Sequence, residues 1–137
     1  MNALLLDTCA TIWLAEGETL SKDASSALSE AAETGTPVLI SPMSGWEIGL
    51  LAARGRVSMS VNPMAWFERL LAIPGMRLSD LSVRILIASS YLPGSPPRDP
   101  VDRILISTAR EHGYCLVTRD KNLLAYAKQG HMIALAC

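Results

Sequence analysis

The stretch Arg98–Asp120, RDPVDRILISTAREHGYCLVTRD, constrains the fold more than any other part of the chain. It carries in order the signals of a helix start, a helix, a stop and a buried strand, with an acid just beyond the strand. Asp99 stands where an N-cap belongs, and Pro100 occupies the first helical position, where its missing N–H costs nothing. Asp102 falls in the first turn, where the helix dipole favours negative charge. Ile104, Leu105, Thr108 and Ala109 follow at helical spacing, and Gly113 is placed to end the helix. Cys115-Leu116-Val117 is short, apolar and β-prone, which predicts a buried strand. In an open α/β sheet ligands bind outside the carboxyl ends of the strands, and Asp120 is delivered to that edge.

The rest of the chain repeats this alternation. Leu4-Leu5-Leu6 ends at Asp7 and predicts a central strand with an acid at its carboxyl end, followed by a helix from Thr8 to Ala15. A helix from Ser21 to about Glu33 is broken by Gly35 and Pro37, and Val38-Leu39-Ile40 predicts the second strand. Ser41-Pro42 opens a helix to about Ala53, in which Met43, Trp46, Leu50 and Leu51 read as one apolar stripe with Glu47 inside it. A carboxylate facing the core is costly unless a cation or hydrogen-bond donors compensate it. Helices at Pro63–Leu71, Val83–Ser90 and from Asp120 to about Lys128, with strands at Met76–Leu78 and Met132–Leu135, complete the pattern. Strands alternating with helices predict an α/β protein with a central parallel sheet covered on both faces.

At 137 residues the chain reads as a single domain over residues 1–137, because its only Pro/Gly-rich segment, Pro93–Pro97, is too short for an interdomain linker. Half of the residues are hydrophobic, which excludes disorder and predicts apolar surface that a partner covers. No apolar run is long enough to span a membrane, and the N-terminus does not read as a signal peptide. The cysteines Cys9, Cys115 and Cys137 are odd in number and lack paired ligand spacing, as expected of a reduced, cytoplasmic protein. With a formal net charge of −1, any attraction to nucleic acid must come from local cations or from metal ions.

Asp7, Glu47, Asp99, Asp102 and Asp120 stand apart from the other acids. Each has a structural role open to it: Asp7 and Asp120 as caps of the helices that follow, Asp99 as an N-cap, Asp102 as a dipole partner. Glu47 is hardest to explain that way, given its apolar neighbours. Brought to one sheet edge, these carboxylates would repel one another and raise their own pKa values. Hard divalent cations resolve that repulsion, since Mg²⁺ and Mn²⁺ prefer oxygen ligands. His112 and His131 are isolated, so no zinc set is available.

The order LLLDT at 4–8, SPMSGWEIGLL at 41–51, RDPVDRILISTA at 98–109 and LVTRD at 116–120 resembles the PIN domain, and more narrowly the VapC-type toxins of bacterial type II toxin–antitoxin pairs. The resemblance covers nearly the whole chain. It implies a three-layer α/β/α fold with about four to five parallel strands. It implies Mg²⁺ or Mn²⁺ ligands at Asp7, Glu47, Asp102 and Asp120, with Asp99 at the rim and the hydroxyls of Thr8 and Thr118 behind the ligands. Cys9 departs from the family, whose members often carry His or Asn after the Asp-Thr pair.

The activity so implied is metal-dependent hydrolysis of RNA phosphodiesters, restrained by a cognate antitoxin. The resemblance is the sole ground for RNA over DNA. Arg98, Arg103, Arg119 and Lys121 flank the acids in sequence and are the candidates to neutralise substrate phosphates. Trp13, Trp46, Leu50, Leu51 and Trp66 lie in the early helices where such toxins accept an antitoxin segment, and a homodimer is expected. Competing readings are a catalytically inactive PIN-like RNA-binding module and a DNA-directed nuclease of the same fold. A phospho-acceptor receiver domain fits less well, because LLLDT carries a lone acid and no lysine follows the last strand.

Overall fold

The computed structural model describes residues 2–137. The elements run β1 (Leu4–Leu6), α1 (Thr8–Ala15), α2 (Lys22–Thr34), β2 (Val38–Ile40), α3 (Pro42–Ala53), α4 (Pro63–Leu71), β3 (Met76–Leu78), α5 (Val83–Ala88), α6 (Pro100–His112), β4 (Cys115–Thr118), α7 (Lys121–Lys128) and β5 (Ile133–Ala136). The strands form one parallel sheet in the order β3-β2-β1-β4-β5. From β1 the chain winds one way through β2 and β3, and from β4 the other way to β5. The crevice at the carboxyl ends of β1 and β4 is therefore the switch point of the sheet, where α/β folds place their ligands.

Alternation along each strand divides the core in two. Leu4 and Leu6, Val38 and Ile40, and Cys115 and Val117 face a cluster that includes Ala10, Ile48, Phe67 and Leu70. Leu5, Leu39 and Leu116 face the other way, into Val101, Leu105, Ile106, Leu123 and Tyr126. The three-layer architecture follows directly from this period of two on strands buried on both faces. β1 and β4 pair with Leu6 opposite Val117, and Asp7 N–H donates to the Val117 carbonyl at 3.1 Å. The ends of these two strands are thus level, and their terminal residues emerge side by side.

The elements lie close to where the sequence pattern placed them, and the structure adds N-caps at Asn62 and Ser82 that the pattern did not single out. Ser21, Ser41, Asn62 and Ser82 each accept a backbone N–H at a helix start, and Gly35 and Gly113 end α2 and α6 in the left-handed region. Each such N-cap stabilises by about 1 kcal/mol. The long loop before α6 is tied down by Tyr126 Oη on the Pro93 carbonyl (2.6 Å) and Arg103 Nε on the Pro97 carbonyl (2.7 Å).

The inward face of α3 corrects the expected stripe. Trp46 is 56% exposed, whereas Ile48 and Ser44 are buried. The inward row is Ser44, Glu47, Ile48 and Leu51, so Glu47 lies at the edge of the packed face and opens onto a cavity. Gly45 faces α4, where a Cβ would make an ordinary contact with Phe67 at 3.5 Å. All three cysteines are free. No helix among the described residues is long and apolar enough to cross a membrane.

Candidate active site

A cavity of about 430 Å³ opens at the switch point, lined by Asp7, Thr8, Cys9, Trp13, Glu47, Leu51, Asp102, Leu105, Arg119 and Asp120. Four carboxylates reach it from four elements: the end of β1, the middle of α3, the first turn of α6 and the start of α7.

Two of these acids also cap helices, and the capping leaves room for a second role. Asp7 Oδ1 accepts the Ala10 N–H at 2.7 Å, while Oδ2 accepts the Thr118 hydroxyl at 2.5 Å. Asp120 uses Oδ1 alone, for the N–H groups of Asn122 and Leu123 at 2.8 and 3.0 Å. Each carboxylate oxygen carries two lone pairs, so both groups keep acceptor capacity toward the cavity. Thr118 links the two, since its hydroxyl accepts the Asp120 N–H at 3.0 Å and donates to Asp7. Across the site Thr8 donates to Glu47 Oε1 and lies 3.0 Å from the Ser44 hydroxyl. Thr118 thus hydrogen-bonds Asp7 from outside the lining, and Thr8, itself part of the lining, hydrogen-bonds Glu47.

The charges are crowded. Burial raises the pKa of Asp7, against the hydrogen bonds from Thr118 and Ala10, and Asp120 raises it further. Burial likewise raises Glu47, Thr8 opposes it, and Asp99 and Asp7 add to the rise. Asp102 is pushed up to about 7, first by burial and then by Asp99, Asp120, Glu47 and Asp7. Among the described residues no lysine or arginine pairs with any of these acids, and the ion pair that does form joins Arg84 to Glu111 on α5 and α6. The donor set is hard oxygen throughout, with no lysine or arginine ion-paired to it among the described residues, and that chemistry fits Mg²⁺ or Mn²⁺. Among the described residues no three of these acids stand close enough to form a ready-made metal cage.

A PIN domain model matches residues 4–129. The chain belongs to the PIN domain family. It is 32% identical over 127 residues to ribonuclease VapC22 of Mycobacterium tuberculosis, covering 92% of this chain and 93% of that protein. Its fold is shared with VapBC2 from Rickettsia felis, solved bound to a DNA fragment from its promoter, at a TM-score of 0.68 and 13% identity over 98% of each chain. DNA-bound VapBC from Salmonella typhimurium matches with a TM-score of 0.65 and 16% identity, over 99% of this chain and 98% of that one.

Not every residue singled out from the sequence reaches the cavity of this PIN domain. Asp99 caps α6 through Oδ1 on the Asp102 N–H (3.0 Å) and does not line the cavity, although its charge raises both Glu47 and Asp102. Of the four basic candidates only Arg119 lines it. Arg103 is a correction: its guanidinium turns to the carbonyls of Pro97 and Ser89 and holds the loop before α6, so it is engaged away from the acids. Arg98 and Lys121 are exposed and outside the lining. Conversely, Ser44, Trp13, Leu51 and Leu105 belong to the site and were missed. A signal existed for three of them, since Ser44 and Leu51 lie one turn either side of Glu47 and Leu105 lies one turn beyond Asp102, and such neighbours share a helix face.

Proposed function

We propose that the cavity is the catalytic centre of a metal-dependent endoribonuclease of the VapC type, the toxin half of a toxin–antitoxin pair. The observation that carries this reading is the convergence of Asp7, Glu47, Asp102 and Asp120 on one cavity without any pairing cation. The similarity to a ribonuclease named VapC22 and to the folds of VapBC complexes supports it. A divalent cation bound among Asp7, Glu47, Asp102 and Asp120 would supply activation of the attacking water and charge stabilisation at the leaving oxygen.

The chain's own groups do the rest. Thr118 and the Ala10 N–H fix the rotation of the Asp7 carboxylate, and Thr8 does the same for Glu47. Asp102, pushed up to about 7 by burial and its neighbouring acids, would hold a bound cation in place of a proton. Arg119 brings one positive charge to the phosphate, and Arg98 and Lys121 extend the approach. Covalent catalysis by Cys9 is disfavoured, because burial and the four surrounding acids push its thiol up and suppress the thiolate.

For partners, Trp46 and Met64 are 56% and 64% exposed on α3 and α4, and such apolar side chains suit a docked antitoxin segment. Val83, Ile87 and Tyr91 are also exposed, on and just after α5, and suit a second copy of the chain. The test is incubation of the purified protein with transfer RNAs and other structured RNAs in Mg²⁺, Mn²⁺ or EDTA, beside Asp7→Asn. Discrete metal-dependent cuts that vanish in the variant are expected. Metal binding without cleavage of any RNA would transfer the assignment to a non-catalytic module or to DNA.

A further inference from the structure

Arg119 lines the same cavity as four carboxylates and yet is tied to none of them. A mobile guanidinium in such a field would collapse onto an acid. Here it is held elsewhere: Cζ stands over the Trp13 ring, 4.0 Å from its centroid, and Nη2 donates to the Thr19 carbonyl at 3.0 Å. Trp13 in turn is half-buried and packs against the core beneath α1, so the layer under the guanidinium is itself anchored. The arrangement is a cationic plane resting on an aromatic one, both lining the cavity that holds the acids. Leu51 and Leu105 add apolar side chains to the same lining.

This is a surface for a flat, electron-rich ring. Nucleobases stack on guanidinium planes and on aromatic side chains, and a cation over an indole adds attraction to both. The cavity has the size of a small-molecule pocket and admits one nucleotide, not a duplex. With a net charge of −1 the chain has little general attraction for a polyanion, so contacts to a base carry more of the binding than phosphate neutralisation does.

We propose that Trp13 and Arg119 form a stacking shelf for a single unpaired nucleobase, that of the nucleotide beside the scissile phosphodiester. The enzyme then selects for an extruded or loop nucleotide before any base identity is read. The proposal rests on the ribonuclease reading of the cavity and adds to it the state of the substrate.

The test uses the full chain and a stem–loop RNA that it cuts, with an abasic nucleotide placed at each loop position in turn. Trp13→Leu, which keeps an apolar side chain for packing, and Arg119→Gln are each expected to lower kcat/KM on the intact loop by about tenfold. On the RNA abasic beside the cut, Trp13→Leu is expected to change nothing further, whereas Arg119→Gln keeps only the part of its loss that comes from its charge beside the phosphate; on the intact loop Trp13→Phe is expected to restore much of what Trp13→Leu loses. A fluorescent 2-aminopurine beside the cut should be quenched on binding to the Asp7→Asn protein and lose that quench when Trp13→Leu is added. Equal losses on intact and abasic RNA, or unchanged cleavage by Trp13→Leu, would overturn the shelf alone. No metal-dependent cleavage of any RNA by the unaltered chain would overturn the ribonuclease reading and the shelf with it.

Discussion

Asp7 and Asp102 line one cavity and are held in very different ways. Asp7 ends a central strand, is 7% exposed, and has a donor on each carboxylate oxygen. Asp102 sits in the first turn of α6, is half-buried, and accepts no side-chain hydrogen bond among the described residues, while four other carboxylates bear on it. Donors stabilise the ionised form, so Asp7 resists the protonation that its burial favours, whereas Asp102 rises to about 7. The strand-end half of the site is preorganised by its donors. The helix half is poised, and its charge depends on what occupies the cavity.

The largest expected effect tests the preorganised half. Asp7→Asn should lower RNA cleavage roughly 10³-fold, the size of several kcal/mol of lost charge stabilisation, with circular dichroism showing an intact fold. Unchanged turnover would remove Asp7 from the chemistry. Thr118→Val takes away the donor to Asp7 and the acceptor for the Asp120 N–H without touching a carboxylate. Loss of such an orienting contact is expected to weaken metal binding by about 10–100-fold in calorimetric titration. An affinity equal to that of the unaltered chain would show that the strand-end acids need no orientation.

The pH dependence of metal binding sharpens the contrast. A cation must displace the proton on Asp102, so Mg²⁺ affinity should fall by up to about tenfold per pH unit below about 7 and level off above it. In Asp102→Asn that inflection should disappear, and its persistence would assign the titration to another group. The smallest effect concerns stability without metal. A carboxylate whose folded pKa is raised contributes stability at low pH that is lost as pH rises through about 7. Asp102→Asn should therefore stabilise the metal-free chain above pH 7. Because the group is part-exposed and screened, the gain is on the order of 1 kcal/mol, or about 3 °C in Tm. A lower Tm for the variant at that pH would reverse the sign argued here.

Much of the site was legible because its acids sit at element boundaries. Asp7, Asp99 and Asp120 are announced by the caps they form, and Asp102 by the helix start that Asp99 and Pro100 define. Capping and a site role are compatible, since Asp7 and Asp120 each spend one carboxylate oxygen on the cap and leave the other free of it. The α3 stripe was misjudged because counting apolar residues weights Trp46 heavily and Ser44 not at all. Ser44 is buried against Thr8, and Trp46 faces outward.

Sequence by itself determined the alternation of strands and helices, the position of each turn and cap, and the four acids bound for the strand ends. Those signals act over a few residues and need no distant partner. Only the tertiary structure decided which row of α3 turned inward, that Arg103 would brace a loop, and that Arg119 would rest on Trp13 instead of on an acid. Each of those outcomes depends on packing between separate elements: Thr8 of α1 against Ser44 and Glu47 of α3, the carbonyls of a loop folded back on α6, and an indole carried by a helix more than a hundred residues away.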